Sequence, residues 1–532
     1  MANLTLVGSG ASAVHFALSA LERGHRVVMV DVGRRPSETS TAPHSFLELK
    51  SQQPNPAATF LGRHYEGVVY PDLDAEFYGI PPQKAYVFEA LQNAPLSLRG
   101  FAPLISFAQG GLAEAWTGGC YPFNESELQA FPFRYEELGP FYDLIAERIG
   151  ISGRVDDLAR FMPVHEHLQA PVRLDHHGKL LLERYEGRRA RLQDTLRVHL
   201  GRARVAVLSR DHEGRSACRY LGRCLWGCPL GSLYTPSMSL AHCLDHEGFE
   251  YLGGHYAHHF RTDGNRRVRS LVVEPLDGSA AREIPVETLV LGAGALSSSR
   301  IVLESFYQER GERIVLNGLM DNRQVMVPFV NPSLIGQSAE TESYQYNQLA
   351  LGLEGERPEH YVHGLVTTLT TALLHPVVQN VPLDLHSSLF LYRNLHAALG
   401  LVNLNFHDTR RPSNQLTLDS SGRRLVIRYA PVAGEKRRIA HALKRLRRAL
   451  WRLGCVVPPG MTHVRPMGAS VHYAGTLPMS ETPRRLAVSP ECQSHDFDNL
   501  YLVDGASFPF LPAKNITFTL MANAARIAAR AF

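Results

Sequence analysis

Near the start of the chain, Gly8-Ser9-Gly10-Ala11-Ser12-Ala13 follows the pattern G-x-G-x-x-G/A. Glycine at the first two positions lets a backbone turn tightly and approach a pyrophosphate, and a small third residue lets a helix pack closely on its strand. Asp31 follows at the interval, about 20 residues, at which a carboxylate accepts from both ribose hydroxyls of an adenosine half. Together these residues describe a dinucleotide site without separating FAD from NAD; the competing reading is a glycine turn that only packs a helix. A second constellation is Cys218, Cys224 and Cys228, spaced C-x5-C-x3-C and followed by Pro229. Thiolates at such short intervals ligate iron–sulfur clusters, whereas buried cysteines are also ordinary packing residues. No His/Glu spacing suggests zinc.

The elements that must carry these residues show as changes of hydrophobic period. An apolar strand (4–7), the glycine turn, a helix from Ala11 to Arg23, Gly24 as its cap and a strand from Arg26 to Val30 make a βαβ opening. A strand from Ile284 to Leu291, the turn Gly292-Ala293-Gly294 and a helix over Ser297 to Ser305 repeat the plan. A third strand and helix occupy 499–504 and 516–531. Three such units around one long intervening region exceed what a simple nicotinamide dehydrogenase needs, which favours FAD. Alternating runs at 325–330 and 399–406 predict a mainly antiparallel sheet.

Composition excludes several classes. At 532 residues with 44% hydrophobic and 20% charged residues, the chain builds its own core. Net charge is only +4, and the basic run 436–448 reads as the solvated face of a helix, so no nucleic-acid partner is expected. Seven unevenly spaced cysteines do not form a secreted disulfide framework. Met1-Ala2-Asn3 leads straight into the first strand, and no segment offers about 20 uninterrupted apolar residues. The expectation is a cytoplasmic protein without a membrane span.

Four separated blocks resemble the glucose-methanol-choline (GMC) oxidoreductases and together span nearly the whole chain. They are the N-terminal turn with Asp31-Val32-Gly33, the block Gly110-Gly111-Leu112-Ala113-Glu114-Ala115-Trp116, the block Gly294-Ala295-Leu296-Ser297-Ser298-Ser299-Arg300, and a C-terminal block. The last runs from His472-Tyr473-Ala474-Gly475-Thr476 through Asp504-Gly505-Ala506 to Asn515-Ile516-Thr517. Pro is absent from the third block, and Ile516 stands where many members have Pro. The resemblance implies that His472 and Asn515 face the flavin ring and bind the substrate hydroxyl. It also implies that Gly8, Gly10, Ala11, Ser12, Ala13, Asp31, Val32, Gly33, Gly110, Gly111, Ala115, Trp116, Gly294, Asp504, Gly505, Asn515, Ile516 and Thr517 hold FAD. Some relatives bond FAD to a His before the Trp of the Gly-Gly block; Ala115 stands there in this chain, so the cofactor is expected to be non-covalent.

The expectation is an α/β fold: a Rossmann-like FAD domain from residues 1–45, 100–125, 195–305 and 460–532, interleaved with a substrate domain from 46–99, 126–194 and 306–459. The expected reaction is oxidation of a primary or secondary alcohol, sugars and polyols among the candidates, with His472 as base and oxygen or another acceptor reoxidising the flavin. Imidazole suits the base role because its unperturbed pKa lies nearest neutrality. Two alternatives share the family: an electron-transfer dehydrogenase with an Fe-S cluster at Cys218, Cys224 and Cys228, and a flavin-binding lyase. Of the remaining histidines, His360 and His363 are candidates to line a substrate cavity, while His463, His495 and the run His255 to His259 are expected to be surface or packing residues. Oligomeric state is not legible.

Overall fold

Five short runs, Asn3–Val7, Arg26–Val30, Phe249–Leu252, Thr288–Leu291 and Leu500–Leu502, associate into one parallel sheet in the computed structural model. The structure describes residues 2–36, 42–62, 81–92, 94–368 and 382–532. Across the sheet the order is 500–502, 288–291, 3–7, 26–30, 249–252. Central strands of a parallel sheet are covered on both faces, and Leu4, Leu6 and Val7 are accordingly buried.

The helix Ala11–Leu21 turns Ala13, Ala17 and Ala20 inward and packs along the helix Thr517–Ala531, whose Ala522, Ala524, Ala525 and Ala528 are also buried. Small side chains let two helices approach closely. The two ends of the chain therefore form one packing unit, the Rossmann-like arrangement expected from the periodicity. The run read as a single strand over 284–291 is in fact two. Arg282–Pro285 joins an antiparallel sheet with Val268–Pro275 and His255–Thr262, whereas Thr288–Leu291 enters the parallel sheet. Pro285 has no N–H with which to continue a ladder, so the direction changes there. The helix expected over Ser297 to Ser305 is longer, Ala295–Arg310, and ends on Gly311 in the left-handed conformation.

The antiparallel expectation holds. A six-stranded sheet orders 463–464, 323–330, 399–406, 362–368, 349–353 and 198–202, every neighbouring pair antiparallel. Val198–Arg202, from within the segment 195–305, forms one edge. The sheet has two unlike faces. Val325, Val327, Val402 and Leu404 pack under the helix Glu435–Arg452, which contributes Ile439, Leu446 and Leu450 and turns Lys436, Arg437, Lys444, Arg447 and Arg448 to solvent. On the other face Gln324, Asn405 and His363 stand in register across three strands, all buried. Gln324 donates Nε2–H to Asn405 Oδ1 at 2.8 Å. Among the described residues no helix is long and apolar enough to cross a membrane.

The glycine turn tests this assembly. Gly8 has φ +96°, and a Cβ there would lie 2.8 Å from both Ala293 Cα and Gly292 O. Gly8→Ala is therefore expected to destabilise the protein by about 2 kcal/mol or more and to lower the unfolding midpoint; a thermal melt superimposable on wild type would contradict this packing.

Candidate active site

One deep cleft opens at the carboxyl ends of the parallel strands, the place where open α/β sheets present a ligand site. Gly8, Gly10, Ala11, Ser12, Asp31, Val32, Gly110, Gly111, Gly294, Asp504, Gly505, Ile516 and Thr517 all line it. Added Cβ atoms at Gly10 and Gly294 would meet nothing, so the backbone there is bare toward the cleft. Ser9 knits the first two loops: its hydroxyl donates to Asp31 and accepts the Gly110 N–H at 2.9 Å. Tyr251 donates to Asp31 at 3.0 Å. Burial pushes the Asp31 carboxyl up to about 6 against the pull of these donors. Asp504 does similar work at the other end, accepting from Ser298 Oγ at 2.5 Å, Gly294 N–H at 3.0 Å and Ala506 N–H at 2.9 Å.

Some residues assigned to the cofactor stand back from the cleft wall. Ala13 packs the first helix against Gly292, where an added Cβ would come within 2.9 Å of the Ala13 Cβ. Gly33 lies under the Tyr251 hydroxyl. Ala115 ends the short 3-10 turn Gly111–Ala115, and Trp116 donates its indole N–H to Tyr234 O at 2.7 Å, packed in the core rather than bordering the cleft. Conversely His255, expected to be a surface or packing residue, lines the cleft beside Tyr256 and Ala257.

His472 and Asn515 come together although 43 positions separate them: Asn515 donates Nδ2–H toward His472 Nε2 at 3.4 Å. They lie beside the cleft, next to its lining residues Val471, Tyr473 and Ile516. An antiparallel bridge pairs Met320 with Ala474, and that register sets Asn322 opposite His472. Asn322 gives both amide hydrogens to carbonyls, Phe406 O at 2.9 Å and Pro512 O at 2.8 Å. Its Oδ1 is thus fixed as an acceptor, 2.9 Å from His472 Nδ1. The proton of neutral His472 must sit on Nδ1, which leaves the Nε2 lone pair pointing at Asn515. Burial, with the nearby charge of Arg465, pushes His472 down to about 4, so the ring is neutral at ordinary pH. Val471, a β-branched residue, takes the left-handed conformation at φ +59°, a costly one. Asp321 holds it there by accepting from Gly468 N–H at 2.6 Å and from Ser470 Oγ, which in turn accepts the His472 N–H at 3.0 Å.

Asn515 is fixed from its other side. Lys514 is fully buried and donates to Glu127 at 2.5 Å, Pro122 O at 2.7 Å and Phe161 O at 2.6 Å. Removing one partner of such a buried pair strands the other and costs about 3–5 kcal/mol, so this clamp is rigid. Neither Asn322 nor the Lys514–Glu127 pair was marked in the sequence, because His472 lies 150 residues from Asn322 and Glu127 lies 387 from Lys514. Cys218, Cys224 and Cys228 form the rim of an apolar cluster with Tyr344 and Tyr346. Burial pushes the Cys218 thiol up to about 11 and that of Cys224 to about 12. Among the described residues no group of three or more His, Cys, Asp or Glu could hold a metal ion. The Fe-S reading gains no support.

The chain is similar to several known proteins. The sequence profile described as GMC oxidoreductase matches residues 411–524. A curated relative, paromamine 6'-oxidase of Streptomyces fradiae, is 23% identical over 443 residues, covering 78% of this chain and 75% of the relative. Pyridoxine 4-oxidase from Mesorbium loti superposes with a TM-score of 0.62 at 14% identity, over 100% of this chain and 99% of that one. Formate oxidase gives 0.61 at 10% identity, over 99% and 98%. The match to the GMC oxidoreductase family covers the C-terminal segment 411–524, and the fold of the whole chain is shared with the two oxidase structures. GMC oxidoreductases are FAD flavoproteins, and the cleft of this chain fits that cofactor. The bare backbone at Gly10 and Gly294 gives a pyrophosphate room, and the N-terminus of the helix Ala11–Leu21 favours its charge. The Asp31 carboxylate suits ribose hydroxyls.

The tautomer argument yields a test. Asn322→Ala is expected to leave FAD content unchanged while slowing turnover on the order of 10²-fold, since a base held in the wrong tautomer cannot take a proton. Turnover within threefold of wild type would remove Asn322 from its positioning role.

Proposed function

We propose that this oxidoreductase oxidises a primary or secondary alcohol to the carbonyl compound, with FAD held without a covalent bond. The observation that carries the proposal is the unprotonated Nε2 of His472, aimed at the Asn515 amide beside the cleft. Bound FAD supplies the acceptor for the hydride that leaves the carbinol carbon. His472 Nε2 takes the hydroxyl proton, so the substrate loses one proton and one hydride and a C=O bond forms. Asn515 Nδ2–H holds the substrate oxygen without competing for the proton, because an amide has no basic lone pair on nitrogen. Asn322 keeps the Nδ1 proton in place throughout. Tyr473 anchors the loop by donating to Gly468 O at 2.6 Å. Ala115, at the position where some relatives bear a bonding His, favours release of the cofactor on denaturation. The relatives named above are oxidases, which supports oxygen as the acceptor.

Anaerobic mixing with a panel of alcohols, followed by flavin absorbance, tests the reading. A substrate alcohol is expected to bleach the flavin, and His472→Ala to slow bleaching by ~10²–10⁴ with FAD still bound. Because the base must be unprotonated and His472 is pushed down to about 4, the rate is expected to fall only as pH drops toward that value. A variant that bleaches as fast as wild type would refute the assignment, and an acid limb near 6.5 would contradict the burial argument.

A further inference from the structure

The helix Glu435–Arg452 closes one face of the six-stranded sheet, and its outer side carries charge that the fold does not use. It holds eight Lys and Arg against a single carboxylate, Glu435. Its one ion pair with a described residue joins Glu435 to Arg323 at 2.9 Å. Arg445 turns inward to the carbonyls of Leu196, Arg197 and Glu354. Arg437, His441, Lys444, Arg448 and Trp451, by contrast, follow one another at three- and four-residue spacing as an exposed stripe. At the C-terminal end of that stripe lies an open groove of about 550 Å³, lined by Arg447, Arg448, Trp451, Arg452, Thr195 and Val456 among others.

The stripe ends at an apolar surface. Ile335, Leu383, Leu385, Phe390, Trp451 and Val456 are between 38% and 71% exposed. Contacts gather them at one end of the sheet. Val330 is in register with Leu399 and bridges Val456. Arg184 ties the helix end to the turn before Ile335, donating to Leu453 O at 2.9 Å and to Asn331 Oδ1 at 3.1 Å. Gly336 N–H donates to Asn394 O at 2.8 Å, which joins that turn to the helix Leu385–Leu395.

Exposed apolar surface beside a field of one sign marks an interaction site, and with a formal net charge of only +4 over the chain this field is local to one face. We propose that this end of the six-stranded sheet docks the protein on an anionic lipid bilayer, with Lys444, Arg447 and Arg448 against headgroup phosphates and Trp451 and Phe390 in the interfacial layer. Cations near an anionic leaflet and aromatic side chains at headgroup depth are two contributions that together make a peripheral attachment stable. A second copy of this chain is a poorer occupant, because a two-fold contact brings the two cationic stripes together. A nucleic acid answers the charge and leaves the apolar residues in water. The surface is separate from the His472–Asn515 pair, so the docking does not rest on the alcohol-oxidising reading.

The experiment sediments the FAD holoenzyme with vesicles of phosphatidylcholine alone or of phosphatidylcholine with about one-third phosphatidylglycerol. Partitioning onto the anionic vesicles is expected to exceed that onto phosphatidylcholine by at least about tenfold at about 0.1 M salt and to weaken at about 0.5 M. The triple variant Lys444→Glu, Arg447→Glu, Arg448→Glu is expected to lose at least about tenfold of that partitioning. Trp451→Ala should lose about threefold or more. All four positions are exposed, so the melt and the flavin spectrum of each variant should match wild type. Tryptophan emission gives an independent readout: of the three tryptophans, Trp116 and Trp226 are packed within the protein. A blue shift on anionic vesicles that disappears in Trp451→Ala is therefore expected. Failure to bind anionic vesicles, equal binding to both kinds, or a triple variant that partitions like wild type overturns the proposal. Attachment without the blue shift also overturns it, leaving surface charge alone. Without vesicle binding, retention on duplex DNA or a dimer abolished by Trp451→Ala overturns it in favour of that occupant.

Discussion

The hydrogen bond from His472 Nδ1 to Asn322 Oδ1 is the constraint on which the site depends. A buried imidazole can carry its proton on either nitrogen, and only one choice leaves a lone pair facing Asn515. Here the choice is made by carbonyls remote from the chemistry. Phe406 O and Pro512 O take both amide hydrogens of Asn322, and the oxygen of that amide is what remains for the ring. Burial of the ring beside Arg465 then removes the charged form from ordinary pH. The cost of the left-handed Val471 backbone, just before His472, is borne by the Asp321 contacts that hold the loop.

These contacts are possible because distant parts of the chain are brought to one place. The alanine-lined pairing of the first and last helices fixes the C-terminal segment against the opening turn. The bridge between Met320 and Ala474 carries the six-stranded sheet to the same point. Lys514, buried against Glu127 and two carbonyls, sets the position of the next residue, Asn515. Cofactor cleft and polar sheet face thus meet at a pair of side chains that neither half could place alone.

What could be read in advance followed the range of the interactions involved. The βαβ opening was legible because a change of period from two to 3.6 is a local property, and Gly8, Gly10 and Asp31 occur within one such unit. The antiparallel sheet was legible from the alternation in 325–330 and 399–406. The strand over 284–291 was misread as continuous because composition does not show that Pro285 ends one sheet before Thr288 starts another. Ala13, Gly33 and Trp116 sit in motifs that touch the cleft but are engaged by Gly292, Tyr251 and Tyr234 behind its wall, contacts that a motif does not record. Asn322 and Lys514 carried no local signal at all, since each acts through a partner far away in sequence. His255 was expected at the surface or in packing, and it lines the cleft because its strand, His255–Thr262, runs past the cleft wall, which no local pattern records.

The protonation state of His472 in the holoenzyme is the most direct test of this account. Nitrogen-15 shifts of its ring, assigned by difference against His472→Gln and followed from pH 4 to 8, report which nitrogen carries the proton. The account predicts a protonated Nδ1 and a bare Nε2 across the neutral range, with the second proton added only near pH 4. A proton found on Nε2 at pH 7, or a doubly protonated ring at pH 6, would contradict it.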